Sequence, residues 1–319
     1  MVRYVVRRLP SALITLFLAS ILVFILVRLV PGDPVATLAG PDASAETRDA
    51  IRSQLGLDGS PITQYFHWLG SMATGDFGTS YMIGGSISEL VGAGALNTVV
   101  LAGTALLIAA GIALVVGVAS VLSQSRVLDA IVSAMNTVAV ALPPFVTGVV
   151  LVVLFAVTWP LLPAGGVPPQ GFWASPDITV QYLILPAICL SLPGASVLTR
   201  FLTESLRSEL RQPYVTTARA LGISRRRIVL TQALPNALPA TVTVLGLQVG
   251  ALLGGAVLIE LIFAWPGLGM LVEQAISNRD YPLVQVLLLL SVAVFVVVQV
   301  LTDVVHAWLD PRVRLGAAA

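Results

Sequence analysis

Lysine is missing from the 319 residues, so all 17 basic side chains are arginine. Without lysine there can be no Walker A loop, whose lysine must reach nucleotide phosphates, and no Schiff-base chemistry. There is one cysteine, Cys189, and there are two histidines, His67 and His306. A lone thiol excludes a disulfide scaffold and a thiolate metal site, and the histidines form no HExxH pair. Charge is also scarce, at 10 % of residues, where soluble domains carry about 25 %. So few charges cannot cover the surface of a soluble domain of this length. A net charge of +1 gives no footprint for nucleic acid.

What the chain has instead is apolar sequence, 57 % of its residues. About 20 such residues in a helix cross a bilayer core of about 30 Å. Six stretches qualify: Leu9–Val27, Asn97–Leu122, Ala130–Trp159, Ile178–Thr199, Asn236–Ile259 and Tyr281–Thr302. Pro143-Pro144 predicts a kink in the third, and Pro186 and Pro193 lie in the fourth; membrane helices tolerate such prolines where neighbours satisfy the freed backbone. The expected fold is an all-α polytopic membrane protein with six transmembrane helices. The first stretch reads as a retained helix rather than a signal peptide, because it exceeds the usual h-region of about 7–15 residues and no A-x-A site precedes Pro31.

Arginine placement sets the orientation, since basic residues of short loops stay cytoplasmic. With the N-terminus inside, the inner segments hold Arg3, Arg7, Arg8, Arg126, Arg200, Arg207, Arg211, Arg219, Arg225, Arg226, Arg227, Arg312 and Arg314. The outer segments hold Arg28, Arg48, Arg52 and Arg279, a split of 13 to 4. Both termini are therefore expected in the cytoplasm. Three parts follow: residues 1–30, an arm and the first helix; 31–95, an extracytoplasmic segment; and 96–319, the core with a cytoplasmic loop at 200–235. In the outer segment, Asp42, Glu46, Arg48, Asp49 and Arg52 precede Leu55, Leu57, Tyr65, Phe66, Trp68 and Leu69, with Ser44 placed to cap a helix.

The cytoplasmic loop carries the densest local signals. Pro213 suits a first helical turn, where its missing N–H costs nothing. Tyr214, Thr217, Ala218 and Leu221 then share a face at helical spacing, and Gly222 falls where a helix ends in a left-handed residue. Ser224 is placed to cap a further helix running through Pro235 into the fifth span. The spacing predicts a short helix across the cytoplasmic mouth, joined by a glycine hinge to a membrane helix. By spacing alone this is equally a connector whose arginines serve topology and anionic headgroups.

Here the sequence resembles a family. Permease subunits of binding-protein-dependent ABC importers carry an EAA loop, E-A-A-x3-G-x9-I-x-L-P. The chain has Thr216-Thr217-Ala218, three residues, Gly222, nine residues, then Gln232-Ala233-Leu234-Pro235. The spacing is complete, with Thr216 in place of the glutamate and Gln232 in place of the isoleucine. Within that superfamily the chain resembles the first permease of dipeptide and oligopeptide importers from end to end. Its landmarks include Pro31-Gly-Asp-Pro34, Gly75-Asp-Phe-Gly-Thr-Ser80, Asn97-Thr98, Leu162-Pro-Ala-Gly-Gly166 and Leu185-Pro186. Tyr214 to Gly222, Asn236-Ala-Leu-Pro239, Gly246-Leu-Gln248, Glu260 to Gly269 and Arg279-Asp-Tyr-Pro282 complete the series.

The resemblance implies a type I permease-like pore subunit of the bacterial cytoplasmic membrane. It would pair with a second homologous permease, with two cytoplasmic ABC ATPase subunits on the EAA loops. An extracytoplasmic solute-binding protein would deliver a peptide. ATP and Mg would belong to the ATPases, leaving this chain without cofactor or catalytic residue. Its coupling residues would be Tyr214, Thr216, Thr217, Ala218, Leu221, Gly222, Leu234 and Pro235. Nickel, glutathione and sugar importers share these landmarks, so the solute stays open. An ion-driven secondary transporter should show paired carboxylates at the midplane, and an intramembrane enzyme a Ser/His or Asp/Asp pair; neither is present in the spans.

Two polar residues of the spans carry alternative readings. Glu260, at the end of the fifth span, is either an interfacial carboxylate steadying the turn before Trp265-Pro266 or a gate contacting a peptide amine. Gln248, mid-span, either ties helices together or lines a wet pore. Trp159, Trp173, Trp265 and Trp308 read as interfacial anchors, and His67 as a surface or packing residue.

Overall fold

The computed structural model describes residues 2–29, 35, 39, 44–54, 58–168 and 175–309. Pro31–Pro34, Asp42, Leu55, Leu57, Trp173, Arg312 and Arg314 lie outside the described residues, as do the side chains of Arg3, Arg7, His306 and Trp308. The regular secondary structure of the described residues is helical, apart from one isolated bridge between Thr79 and Ser86. The helices are α1 (Val2–Leu29), α2 (Ala45–Gln54), α3 (Pro61–Thr74), α4 (Ile87–Ser123) and α5 (Arg126–Ala141). They continue with α6 (Pro144–Thr158), α7 (Pro176–Glu209), α8 (Pro213–Ala220), α9 (Arg225–Ile262), α10 (Leu268–Ser277) and α11 (Tyr281–Leu309).

Among the described residues five helices are long and apolar enough to cross a membrane: α1 from Arg8, α4, α7, α9, and α11 to Leu301. The third expected span, Ala130–Trp159, is not one kinked helix. It is α5 and α6, set at 104° to each other, and the number of crossings reaches six only if the pair counts as one. Local chemistry explains the break. Leu142 and Pro143 both precede a proline and are extended, at ψ 126° and 139°, as the clash with a following pyrrolidine ring demands. The spans also run longer than their apolar stretches suggest, since α9 begins at Arg225 rather than Asn236.

The chain divides into two compact units. One comprises Asn97–Gly269 with the chain from Val298 onward. Its centre is α7, whose most apolar stretch is 61 % buried, against 17–28 % for the other four spans. Pro186 and Pro193 lie inside α7 without ending it. Leu185, Leu190, Leu252, Ile259, Phe263 and Trp265 form one core cluster, while Ala109, Ala113, Ala195 and Leu198 form another. Small residues let helix backbones approach: a Cβ added at Gly117 would stand 3.2 Å from the Leu202 side chain.

The other unit comprises Val2–Leu96 and Met270–Val297. Phe24 of α1 stacks with Tyr65 and Trp68 of α3, and Ser20 shares a 2.8 Å hydrogen bond with the Tyr65 hydroxyl. Ser44 caps α2 as expected, accepting from the Thr47 N–H at 3.2 Å. The Asp280 carboxylate, fully buried, accepts from Ser80 Oγ and from the Met82 N–H at 3.0 Å. Ser80 Oγ in turn accepts from the Ile83 and Gly84 amides. Burial and, next, the negative charge of Asp280 both disfavour phenolate and push the pKa of Tyr81 upward.

Candidate functional site

The segment 200–235 folds as a helix, a tight turn, a short helix and a long helix. α7 ends at Glu209, and Pro213 occupies the first turn of α8. α8 ends in a Schellman motif: the Ile223 N–H donates to Ala218 O at 3.1 Å and the Gly222 N–H to Arg219 O at 2.9 Å. Gly222 sits at φ +76°, the left-handed geometry that glycine adopts at no steric cost. Ser224 lies at the N-cap position of α9 with extended backbone, but its side chain makes no capping bond. That part of the sequence expectation does not hold; the first carbonyl bond, Ile228 N–H to Ser224 O, is made by the main chain alone.

The expected outward face of Tyr214, Thr217, Ala218 and Leu221 divides in two. Ala218 is 5 % exposed and packs with Val215 and Ile228, and Leu210, Tyr214 and Ile223 close the cluster. Its small size admits α9 of this chain, so it is an internal anchor rather than a contact for a partner. Leu221, by contrast, is 75 % exposed, with Thr216, Thr217 and Gly222 exposed beside it. Leu234 is half-buried against the cluster of Val121, Leu202, Leu206, Val229, Ala233 and Ala237, and Pro235 is exposed.

Tyr214 braces α8 at its start. Its hydroxyl donates to Glu209 Oε2 at 2.8 Å and accepts from Asn236 Nδ2 at 3.4 Å. Partial burial pushes its pKa upward; the Asn236 bond opposes this, and the bond to and charge of Glu209 reinforce it. After the first turn of α9, Val229–Ala233 winds as a π-helix, a local widening common at functional positions.

Glu260 and Gln248 have different surroundings. Glu260 is fully buried; its carboxylate accepts from Thr98 Oγ1 at 2.6 Å and from the Gly269 N–H at 2.6 Å. Thr98 Oγ1 also accepts from the Leu268 N–H, while Trp265 Nε1 donates to Asn97 O and Asn97 Nδ2 to Pro266 O. The carboxylate therefore staples the turn after α9 to the start of the second span. This geometry matches the turn-steadying reading of Glu260. Trp265 is fully buried in the core, which corrects its reading as an interfacial anchor: its ring fills the staple rather than a headgroup layer. Gln248 is half-buried beside Gly194, and among the described residues its amide has no hydrogen-bond partner. His67 is exposed, and no group of three metal-ligating side chains occurs among the described residues.

Sequence reading passed over Thr98 and Asp280, which hold buried polar networks together. Both sit in quoted landmarks, but their pairing to Glu260 and to Ser80 spans 162 and 200 residues, which local spacing cannot reveal.

Several apolar helices, one of them largely buried and carrying two prolines, define a multi-pass membrane protein. The chain belongs to the family of binding-protein-dependent transport system inner membrane components, whose model matches residues 109–315. The N-terminal companion of that model matches residues 1–84. The chain is 35 % identical to the glutathione transport system permease protein GsiC of Salmonella choleraesuis (strain SC-B67), over 98 % of this chain and 99 % of that protein. It is 34 % identical to the protein of the same name from Escherichia coli (strain K12), with the same coverage. The chain is thus an ABC importer permease, a non-catalytic component of the cytoplasmic membrane. Its family works with a second permease, ATPase subunits that hydrolyse ATP, and a solute-binding protein.

Proposed function

We propose that this chain forms half of a translocation path for small peptides and peptide-like solutes, and that α8 transmits the motion of the ATPases to α9. The observation that carries the coupling role is the division of α8. Val215 and Ala218 lock the helix onto Ile228 of α9, while Thr216, Thr217, Leu221 and Gly222 are left uncovered at the cytoplasmic end. A helix held rigidly to a span on one side and open on the other converts displacement by a partner into movement of the span. Tyr214 fixes its start; Leu234 and Pro235 carry the movement into the membrane.

For the solute, the relatives support a peptide-like cargo, since glutathione is itself a tripeptide with one isopeptide link. The unpartnered amide of Gln248 suits a path lined by donors and acceptors for peptide bonds. Dipeptide, glutathione and nickel uptake are to be compared in vesicles holding the whole importer with its binding protein. Saturable ATP-driven uptake of a peptide or of glutathione is the expected result; uptake of nickel alone would overturn the peptide reading while leaving the permease role intact.

A further inference from the structure

Between the cytoplasmic ends of α4 and α7, and beside α8, lies a cavity of about 440 Å³ lined by Ser120, Val121, Gln124, Asp129, Arg207, Leu210, Arg211, Arg219 and Arg225. Four guanidinium groups face it against one carboxylate. Two of them are committed to the walls. Arg207 pairs with Asp129 at 2.8 Å. Arg225 donates to Val121 O at 2.8 Å and, with the Gln124 amide oriented by its network, to Gln124 at 3.0 Å through Nη1 and Nε. The side chains of Arg211 and Arg219 have no partner among the described residues. Ser120, 3 % exposed, is also part of the lining, and its buried hydroxyl likewise has no hydrogen-bond partner among them.

A buried hydroxyl without a partner is costly, and two guanidinium groups without partners line the same cavity, where the one carboxylate is already paired to Arg207. Arginine's fixed fork matches phosphate oxygens in pairs. A doubly charged phosphate balances the two uncommitted cations, which a single carboxylate does not. Basic pockets between membrane helices on the cytoplasmic side also suit phospholipid headgroups. We propose that this cavity binds a phosphate-bearing anion, held by Arg211, Arg219 and Ser120. The anion would tie α8 to the ends of α7 and α4, bracing the coupling helix from the side opposite its exposed face. The proposal does not depend on the nature of the cargo.

Two probes separate the sources of the anion. The assembled transporter, with both permeases and its ATPases, is titrated in neutral detergent with cardiolipin and, separately, with pyrophosphate, and binding is read by tryptophan fluorescence. At least one probe is expected to bind saturably. The double variant Arg211→Gln/Arg219→Gln should weaken that binding about tenfold or more, and Ser120→Ala about threefold, as befits loss of charge-assisted bonds. Arg226→Gln/Arg227→Gln removes the same charge outside the cavity and should stay within about twofold. Cardiolipin alone would identify a lipid headgroup; pyrophosphate binding would identify a soluble phosphate compound. If the double variant does not assemble, Ser120→Ala alone decides. Absence of saturable binding by both probes overturns the site, as does equal weakening in the control pair. ATPase loss in the double variant without binding of either probe also overturns it, in favour of a protein carboxylate.

Discussion

The two ends of α9 are secured by opposite means. At its last turn a buried carboxylate, Glu260, holds Thr98 and the Gly269 amide, and Ala264 takes a left-handed turn at φ +47° to bring Trp265 back over the helix. A Cβ at Gly267 would lie 2.2 Å from Glu260 Oε1, and one at Gly269 would lie 2.5 Å from the Val257 Cα. Nothing there can move without breaking buried polar bonds. At the first turns of α9, the neighbouring α8 is held by the small apolar cluster of Val215, Ala218 and Ile228 and capped by Gly222, with open space around the glycine. Apolar contacts are non-directional and tolerate small displacements, whereas a buried carboxylate network does not. The difference marks one end as an anchor and the other as the place where a partner can act.

The comparison breaks most severely at the anchor. Gly269→Val places a branched side chain against the Val257 backbone and the Glu260 carboxylate. Such overpacking should cost about 3 kcal/mol or more, seen as loss of monodisperse protein and a lowered unfolding midpoint in detergent. Ala218→Trp overfills the α8 cluster and should cost about 1–3 kcal/mol; the spans should still insert, but α8 should be displaced and co-purifying ATPase lost. Gly222→Val meets no clash, only the strain of a branched residue at φ +76°, about 1–3 kcal/mol and local. Its readout is reduced stimulation of ATP hydrolysis by loaded binding protein, at an unchanged yield of protein.

The smallest expected effect is electrostatic. The Tyr214 pKa is raised above its ordinary 10.0, so the folded state holds the phenol proton more tightly than the unfolded chain. The stabilising bond to Glu209 is complete below about pH 10 and fades as pH rises through the raised value. Limited proteolysis at Arg211 and Arg219 should therefore quicken above pH 10 in the wild type. Tyr214→Phe, which lacks the titrating group, should show a flatter pH profile.

Much of this was legible in the sequence because membrane spans and helix caps are local. Charge-free windows located all five long spans, Pro213 and Gly222 bounded α8, and Ser44 capped α2. The EAA-like spacing placed the loop in its family before any geometry was known. What local reasoning missed depended on contacts distant in the chain. Helical periodicity put Ala218 and Leu221 on one face, but only the packing of Ile228 shows that Ala218 is covered while Leu221 is not. Trp265 looks like an interfacial tryptophan until its indole N–H is seen to donate to the main-chain carbonyl of Asn97. Pro143-Pro144 announced a bend, yet its 104° follows from two consecutive residues held extended before proline.

The most direct test of α8 as the coupling element changes only its uncovered side. Leu221 is 75 % exposed and makes no core contact, so Leu221→Asp should leave the unfolding midpoint of the permease unchanged. Within the whole importer reconstituted in vesicles, it should abolish ATPase association and solute uptake together. Uptake at the wild-type rate by a Leu221→Asp transporter would contradict the account.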